Sequence, residues 1–305
     1  MPATPTGDEW PQFRKDIRYS GDSNLNTLQT CIPRSTDNKR HRIWIVYIHG
    51  GAWFDPEQTA STFDKAQDIL LNSSIADHVG GYASINYRLS PAPAHPTNPS
   101  NPADPARNAQ HPDHINDVLS AILHLQETYR FEDRYILVGH SCGAFLAFQV
   151  AMKRYWRSQY ESTYGLEMNV MPPLAVLGIE GLYDLPALVK YHDDLKQPIY
   201  HNFVESAFGP NATNWAAASP TNADYKSSWQ DGKLAVVAHS HEDELVEWDQ
   251  PELMMKALSS QGFGDSGNRR GKLIELKGKH DQVWSNGTEV ARAIEWTIKE
   301  FVSMR

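Results

Sequence analysis

The chain has 305 residues, of which 40% are hydrophobic and 21% are charged, and its formal net charge at pH 7 is −9. This composition is ordinary for a globular protein, and the length suffices for one large α/β domain or two small ones. The acidic balance argues against nucleic acid and anionic membrane surfaces as partners, and no apolar stretch approaches the roughly 18–20 residues of a membrane span.

The N-terminal part of the chain carries few structural signals. Residues 1–22 are polar, contain three prolines and lack the apolar run of a secretory signal. Residues 1 to about 40 are therefore predicted to be a loosely ordered lead-in. Two cysteines, Cys31 and Cys142, fit a reducing compartment, and no cysteine or histidine cluster has the spacing of metal ligands. The sequence predicts a cytoplasmic protein without a metal site.

From residue 42 onward, apolar runs of strand length alternate with segments of helical spacing. The predicted strands cover 43–48, 82–87, 135–138, 174–179, 234–238 and 272–276. The predicted helices cover 59–72, 113–129, 144–154, 251–260 and 288–304. Such alternation is typical of a mostly parallel sheet with helices on both faces. We therefore predict an α/β fold, with residues 41–305 as a single domain.

Two segments interrupt this pattern. Residues 91–112 contain seven prolines, which exclude a regular helix or strand. A loop of this length is either a functional element, such as a lid, or a tolerated surface insertion, and the second alternative is favoured. Residues 185–230 are rich in aromatic residues and contain no clear strand, so a small helical cap is predicted there.

The sequence Gly139-His140-Ser141-Cys142-Gly143 lies between a predicted strand and a predicted helix. A serine at such a sharp turn projects its hydroxyl from the edge of the sheet. The flanking glycines let the strand and the helix approach each other closely. This pattern predicts a nucleophile elbow with Ser141 as the nucleophile. The alternative is a glycine-flanked serine that caps a helix.

Functional groups of a parallel α/β sheet collect at the carboxyl ends of its strands. A serine nucleophile needs a base whose pKa lies near the working pH, and that base needs a carboxylate to orient it. His280, in the loop after the last predicted strand, is the expected base. Asp243, after the preceding strand, is the expected acid, although spacing does not exclude its neighbours Glu242 and Glu244. The order serine, acid, histidine is that of α/β-hydrolases.

A second glycine-rich motif, His-Gly-Gly-Ala-Trp, follows the first of these predicted strands. The tetrahedral intermediate of acyl transfer carries a negative charge that backbone N–H groups stabilise. Gly50, Gly51 and Ala52 keep bulky side chains away from that point. The N–H of Cys142, the residue after the nucleophile, completes the predicted oxyanion hole. The alternative is an ordinary Gly-Gly turn at the end of a strand.

Six motifs together resemble those of the fungal kynurenine formamidases, which are α/β-hydrolases with an HGGxW sequence. They are His-Gly-Gly-Ala-Trp-Phe-Asp-Pro-Glu at 49–57, Asn-Tyr-Arg-Leu-Ser-Pro at 86–91, Gly-His-Ser-Cys-Gly at 139–143, Glu-Gly-Leu-Tyr-Asp at 180–184, His-Ser-His-Glu-Asp-Glu-Leu at 239–245 and His-Asp at 280–281. The resemblance covers roughly residues 42–300. Its first motif is the most specific, because the tryptophan and the following Asp-Pro-Glu are narrower than the general HGG pattern of esterases.

The resemblance implies an α/β-hydrolase that converts N-formyl-L-kynurenine into L-kynurenine and formate, in tryptophan catabolism and de novo NAD synthesis. It places the catalytic triad on Ser141, Asp243 and His280, and oxyanion amides on Gly51 and Ala52. It also implies a homodimer that needs no cofactor.

The chemistry of this substrate agrees with the predicted site. A formyl group needs almost no acyl pocket, and its aryl amine leaving group needs a proton from His280 as it departs. Trp53, Phe54 and Tyr183 are candidates to flank the aromatic ring, with core packing as an equal alternative. Two other functions stay open: a general carboxylesterase of the HGG class, and a non-catalytic ligand-binding protein with a hydrolase fold.

Overall fold

The computed structural model describes residues 9–34, 42–164 and 168–304, and within this range it leaves the side chains of 159–164 undescribed. Its strands are β1 (Gln12–Arg18), β2 (Thr27–Ile32), β3 (Ile43–Ile48), β4 (Val79–Ile85), β5 (Tyr135–His140), β6 (Ala175–Ile179), β7 (Leu234–Ser240) and β8 (Arg270–Leu276). They form one sheet in the order β1-β2-β4-β3-β5-β6-β7-β8. Strand β2 is antiparallel to β1 and β4, and the other neighbouring pairs are parallel.

Helices connect the parallel strands. They are α1 (Asp64–Leu71), α2 (Asp113–Tyr129), α3 (Cys142–Val150), α4 (Lys153–Tyr164), α5 (Leu185–Asp194), α6 (Ile199–Phe208), α7 (Ala212–Ala218), α8 (Tyr225–Ser228), α9 (Asp249–Ser260), α10 (His280–Ser285) and α11 (Thr288–Ser303). Among the helices of the described ranges, none is long and apolar enough to cross a membrane.

The central strands are buried on both faces because their sequences are continuous apolar runs. Every residue of β3, β5, β6 and β7 is buried. One face of the sheet packs against α2 and α3 through residues such as Val118 and Phe145. The other face packs against α1 and α11 through residues such as Leu70 and Ile294. Helices therefore cover both faces of a mostly parallel sheet, which confirms the predicted fold class.

The expectation of a loosely ordered lead-in fails for the part of it that the structure describes. Strands β1 and β2 extend the sheet beyond β4 and bond to it in an antiparallel arrangement. Strand β1 is an edge strand whose residues are intermediate or exposed, so its polar sequence carries no apolar alternation. Residues 1–8 and the polar cluster at 35–40 lie outside the described residues.

Two element boundaries differ from the prediction for identifiable reasons. Strand β4 begins three residues before the predicted strand, because Gly80 and Gly81 hide its start in the sequence. Glycine is needed at position 81 of the strand, because a Cβ there would overlap the indole of Trp44. The helix expected over 144–154 is divided at residues 151–152 into α3 and α4.

The carboxyl ends of β3, β5, β6, β7 and β8 meet at one edge of the sheet. The segment 185–230 contains α5 to α8, and α6 contributes residues to the cavity at this edge. Whether this segment works as a cap stays a prediction.

Candidate active site

Ser141 occupies a strained turn between β5 and α3. Its backbone has φ 54° and ψ −124°, which an L-residue rarely adopts, and its N–H donates to the Ile179 carbonyl at 2.8 Å. A Cβ on Gly139 would overlap the backbone of Gly143, and a Cβ on Gly143 would overlap the backbone of Ile48. The strand and the helix approach each other so closely that only glycine fits at both positions. This geometry is that of a nucleophile elbow.

His280 and Asp243 meet although they lie on different loops. The Nδ1 atom of His280, the first residue of α10, lies 2.8 Å from Oδ2 of Asp243, which follows β7. The other oxygen of Asp243 accepts hydrogen bonds from the backbone N–H groups of Leu245 and Val246, each at 2.9 Å. These contacts hold the carboxylate in one orientation, with its second oxygen aimed at the imidazole.

The acidic neighbours of Asp243 have other partners. Glu242 accepts a hydrogen bond from the backbone N–H of Gly278 at 3.2 Å, and Glu244 accepts one from the backbone N–H of His280 at 3.1 Å. Both therefore anchor the loop that carries His280. Of the three acids that spacing left open, Asp243 is the one whose carboxylate contacts the imidazole ring.

The surroundings shift the pKa values of this pair in opposite directions. Burial alone would raise the pKa of Asp243, but the hydrogen bond and charge of His280 and the Val246 amide lower it to about 2. Burial alone would lower the pKa of His280, but the carboxyl groups of Asp243 and Glu180 outweigh burial and raise it. An ionised Asp243 at neutral pH can orient the imidazole and stabilise its protonated form.

The segment after β3 is shaped by three consecutive residues with positive φ: Gly51 at 95°, Ala52 at 47° and Trp53 at 62°. The Tyr87 hydroxyl lies 3.1 Å from the His49 carbonyl oxygen at its start, and the Trp53 N–H donates to Sγ of Cys142 at 3.3 Å. Gly51 and Ala52 line the same cavity as Ser141. The backbone of this segment is therefore fixed beside the elbow.

Gly50 and Cys142, the other two residues expected at the oxyanion hole, lie at the same junction. A Cβ on Gly50 would come within 2.8 Å of Nδ1 of His140 and 3.1 Å of Cβ of Ser141, so only glycine fits. Cys142 is the first residue of α3, and its thiol is fully buried. Burial raises the pKa of this thiol to about 11, so the sulfur is not a competing nucleophile.

A cavity of about 260 Å³ opens at the carboxyl edge of the sheet. It is lined by Gly51, Ala52, Phe54, Asp55, Gln58, Ser141, Leu182, Ile199, Tyr200, Phe203, Leu245, Val246, His280 and Asp281. The Ser141 hydroxyl has no hydrogen-bond partner among the described residues. Nucleophile–base contacts of this kind are often loose before substrate binds.

The three aromatic residues expected around the substrate ring fall into two groups. Phe54 lines the cavity. Trp53 and Tyr183 are fully buried and do not line it, so for these two residues the structure favours the alternative of core packing. The Trp53 ring meets the edge of Phe145 at a centroid distance of 5.4 Å, because the left-handed backbone turns this side chain inward.

Most of the apolar lining was not foreseen from the sequence. Tyr200 and Phe203 come from α6, one helical turn apart, and their ring centroids are 5.4 Å apart. The helical spacing of these aromatic residues within the segment 185–230 was the available signal. Two carboxylates, Asp55 and Asp281, complete the lining, which contains no lysine or arginine among its members.

The proline-rich segment 91–112 packs beside the cavity. Leu89 donates to Ala106 at 2.8 Å, and Ala109 donates back to Leu89 at 2.9 Å. The Thr97 hydroxyl donates to the Glu57 carboxylate at 2.7 Å, which joins the loop to the segment after β3. The loop is thus held by backbone and side-chain hydrogen bonds, and its action as a lid stays untested.

His140, Glu180 and His280 each present one potential ligand atom within 4.8 Å of the others. In this cluster, Nδ1 of His280 contacts Asp243 at 2.8 Å and Glu180 at 3.3 Å, so we describe the three side chains as surroundings of the candidate base. Burial and the neighbouring His280 lower the pKa of His140, so His140 is a neutral side chain beside the candidate base.

The mostly parallel sheet, the serine on its elbow and the histidine–aspartate pair define an α/β-hydrolase. Solved structures show the same fold: esterase B from Lactobacillus rhamnosis has a TM-score of 0.68 at 16% identity and covers 97% of this chain and 87% of its own. A truncated carbohydrate esterase from gut microbiota has a TM-score of 0.64 at 17% identity, with coverage of 96% and 99%.

Sequence comparison is more specific. The BD-FAE family model matches residues 28–258. The kynurenine formamidase-like hydrolase fscH of Fusarium equiseti is 40% identical over 281 residues, covering 90% of both chains. Kynurenine formamidase avaC of Aspergillus versicolor is 37% identical over 305 residues, with 90% of this chain and 96% of its own covered. The chain belongs to the BD-FAE family and to the kynurenine formamidase family, which confirms the resemblance in its motifs.

Proposed function

We propose that this protein hydrolyses N-formyl-L-kynurenine to L-kynurenine and formate, with Ser141 as nucleophile, His280 as general base and acid, and Asp243 as the carboxylate that orients it. The observation that carries the proposal is the 2.8 Å contact between His280 Nδ1 and Asp243 at a cavity that also exposes a serine on an elbow. Membership of the kynurenine formamidase family supports the choice of substrate.

In the first half of the reaction, Oγ of Ser141 attacks the formyl carbon while Nε2 of His280 accepts the hydroxyl proton. The Nδ1–H group of His280 stays hydrogen-bonded to the Asp243 carboxylate, so the new positive charge on the imidazole has an ionised partner. The negative oxygen of the tetrahedral intermediate faces the N–H groups of the segment 50–52 and of Cys142. Fixed backbone donors require no reorganisation when this charge forms.

The intermediate then collapses as Nε2–H of His280 gives its proton to the departing aniline nitrogen. L-Kynurenine leaves, and a formyl ester remains on Ser141. Water, deprotonated by the neutral His280, attacks this ester through a second tetrahedral intermediate. Formate leaves, and the proton returns to the serine oxygen.

The lining of the cavity suits both ends of this substrate. Phe54, Tyr200 and Phe203 form an aromatic wall for the ring of the leaving group. Asp55 and Asp281 place negative charge at the cavity, and the α-ammonium group of N-formyl-L-kynurenine is the complementary charge.

The direct test compares kcat/KM for N-formyl-L-kynurenine with kcat/KM for a short aryl ester such as 4-nitrophenyl acetate. We expect the formamide to be the better substrate. An ester preference of two orders of magnitude or more would support the carboxylesterase alternative instead. Failure of a fluorophosphonate probe to label Ser141 in folded protein would support the non-catalytic alternative.

Replacement of Phe203 by alanine is expected to raise KM for N-formyl-L-kynurenine about tenfold and to change kcat little. The lost ring contact is worth on the order of 1.4 kcal/mol, and Phe203 supplies no group that takes part in the proton transfers. Steady-state kinetics measure this change. Phe13→Ala on the exposed edge strand is the matched control, and equal effects of both variants would contradict the placement of the substrate ring.

Asp281→Asn is expected to raise KM for N-formyl-L-kynurenine roughly fivefold, because it removes a partly solvated charge interaction of about 1 kcal/mol. The matched control is a substrate, 2-formamidoacetophenone, which keeps the aryl formamide and lacks the ammonium group. Its KM should stay unchanged in the variant. A parallel rise for both substrates would show that Asp281 does not face the ammonium group.

We further propose that the enzyme acts without a cofactor, as a homodimer in the cytoplasm. The family resemblance supports the first two properties, and the presence of only two cysteines, Cys31 and Cys142, supports the third. Light scattering coupled to size exclusion measures the oligomeric state, and fractionation of cells measures the location.

A further inference from the structure

A second carboxyl group lies beside the candidate base. Glu180 follows β6 directly, and its Oε2 lies 3.3 Å from Nδ1 of His280, the atom that also contacts Asp243 at 2.8 Å. The side chains of Glu180 and Asp243 are both fully buried. The backbone of Glu180 has φ 47°, and its N–H donates to the Ala238 carbonyl at 2.8 Å, which fixes the residue at this point.

The two carboxyl groups differ in the donors available to them. Asp243 accepts two backbone hydrogen bonds, from Leu245 and Val246, in addition to that from His280. Neither oxygen of Glu180 has a hydrogen-bond partner with good geometry among the described residues. A carboxylate with backbone donors is stabilised in its ionised form, whereas a buried carboxylate without them is not.

Only one hydrogen is available on Nδ1 of His280. If both carboxyl groups were ionised beside a neutral imidazole, two negative charges would share a buried site, which is strongly unfavourable. Burial and the neighbouring Asp243 both raise the pKa of Glu180, against the opposing effect of His280. The pKa of Asp243 is lowered. Of the two carboxyl groups, Glu180 is therefore the one that holds a proton more readily.

Apart from His280 itself, the described groups around the pair supply no cation that would favour an ionised Glu180. The titratable side chains that face the pair from the ends of β5, β6 and β7 are His140, Tyr183, His239 and Glu244. Burial lowers the pKa of both His140 and His239, which keeps these imidazoles neutral, and it raises the pKa of Tyr183. Glu244 adds negative charge at the backbone of His280.

We propose that Glu180 is a reserve acid for the triad. Glu180 keeps its proton while Asp243 is ionised, so that the imidazole has one anionic partner and stays available as a base. When Asp243 is absent, the carboxylate of Glu180 accepts the Nδ1–H in its place. This inference rests on the proposed roles of Asp243 and His280.

The first test concerns the location of the proton. Glu180→Gln has the size and the neutral charge of a protonated glutamate. Its kcat/KM at pH 7 should stay within about threefold of the original protein, and the pH at which kcat/KM is half-maximal on the acid side should not move. A downward shift of that midpoint by one pH unit or more would show that Glu180 carries a negative charge beside His280, and would overturn the proposal.

The second test compares Asp243→Ala with the double variant Asp243→Ala, Glu180→Gln. Loss of the acid from a serine triad costs about 10⁴-fold in rate. With Glu180 as the reserve acid, Asp243→Ala should lose only about 10²-fold, and its activity should rise with pH as Glu180 ionises. The double variant should lose about 10⁴-fold without that rise. Equal rates and equal pH profiles in the single and double variants would overturn the proposal.

Alanine is preferred to asparagine at position 243 for a structural reason. The oxygen of an asparagine would stay with the Leu245 and Val246 amides, and its NH₂ group would then point at Nδ1 and impose the wrong tautomer. If thermal unfolding shows that Asp243→Ala is not folded, Asp243→Ser replaces it in both members of the pair. Its short hydroxyl can still accept from the backbone and does not reach the imidazole.

The rate constant for labelling of Ser141 by a fluorophosphonate is measured in every variant alongside turnover. This rate reports activation of the serine by His280 and does not depend on the natural substrate. If the original protein is labelled but does not cleave N-formyl-L-kynurenine, the proposed substrate is wrong. The labelling rates of the variants still decide the role of Glu180.

Discussion

Replacement of Ser141 by alanine is expected to reduce kcat for N-formyl-L-kynurenine about 10⁶-fold, the loss typical of serine hydrolases without their nucleophile. The reason is that the other hydroxyl in the cavity lining, that of Tyr200, donates to the Leu245 carbonyl at 2.7 Å and has a pKa that burial raises to about 12. In the variant, His280 no longer has a serine hydroxyl to activate, and the Cys142 thiol is buried with a raised pKa. Turnover with sensitive detection of kynurenine absorbance measures the loss.

The same substitution should leave the fold unchanged. Ser141 contributes no side-chain hydrogen bond among the described residues, and alanine has the same Cβ at the same backbone angles. We therefore expect a change in the free energy of unfolding within about 0.5 kcal/mol. Ser61→Ala, at an exposed serine before α1, is the control and should keep full activity. Retention of more than about 1% of turnover by Ser141→Ala would refute its role as the nucleophile.

Replacement of His280 by alanine should cost about 10⁶-fold in kcat as well, because serine and histidine act as one unit. In the original protein, kcat/KM should fall tenfold per pH unit below the pKa of His280, since the imidazolium cannot accept the serine proton. Burial alone would lower the pKa of His280, but its hydrogen bond to the ionised Asp243 is the largest opposing effect, and the pKa is raised. The midpoint of the fall should therefore lie above about 6.5, the value of an unperturbed histidine.

The pH profile is measured with a substrate that does not ionise in the range. His78→Ala, at an exposed histidine far along the chain, should reproduce the profile of the original protein. If the acid-side fall persists unchanged in the residual activity of the His280 variant, another group is responsible for it. The assignment of His280 as the base would then be withdrawn.

Strong local patterns explain which parts of the fold were predictable. The ends of β3 and α2 match the prediction, because one is an unbroken apolar run and the other has a broad apolar face with clear periodicity. Strand β1 was missed since an edge strand gains its stability from backbone pairing with β2, which leaves little trace in the side chains. The predicted strand at 82–87 begins three residues too late, because the sequence before it contains Gly80 and Gly81, and these glycines pack against Trp44.

The candidate site also has parts that the sequence predicts and parts that it does not. The sequence points to Ser141, His280 and Asp243 because functional groups follow strand ends in this topology. The structure places these three side chains together at the sheet edge, and their catalytic roles stay a proposal. The sequence does not predict that α6 lines the cavity, because the position of a helix between two strands depends on long-range packing. The direction of Trp53 was also unpredictable, since it follows from a positive φ that the sequence does not announce.

The left-handed residues around the cavity have a consequence for the durability of the enzyme. Ala52, Trp53, Ser141 and Glu180 all have positive φ without being glycine, and each such conformation costs on the order of 1–3 kcal/mol. A chain selected for heat resistance alone would replace them with glycine and lose the side chains that the site uses. The packing of the buried central strands must therefore offset the free-energy cost of these strained residues. Substitutions that remove the strain would raise the thermal stability of the fold and lower its activity.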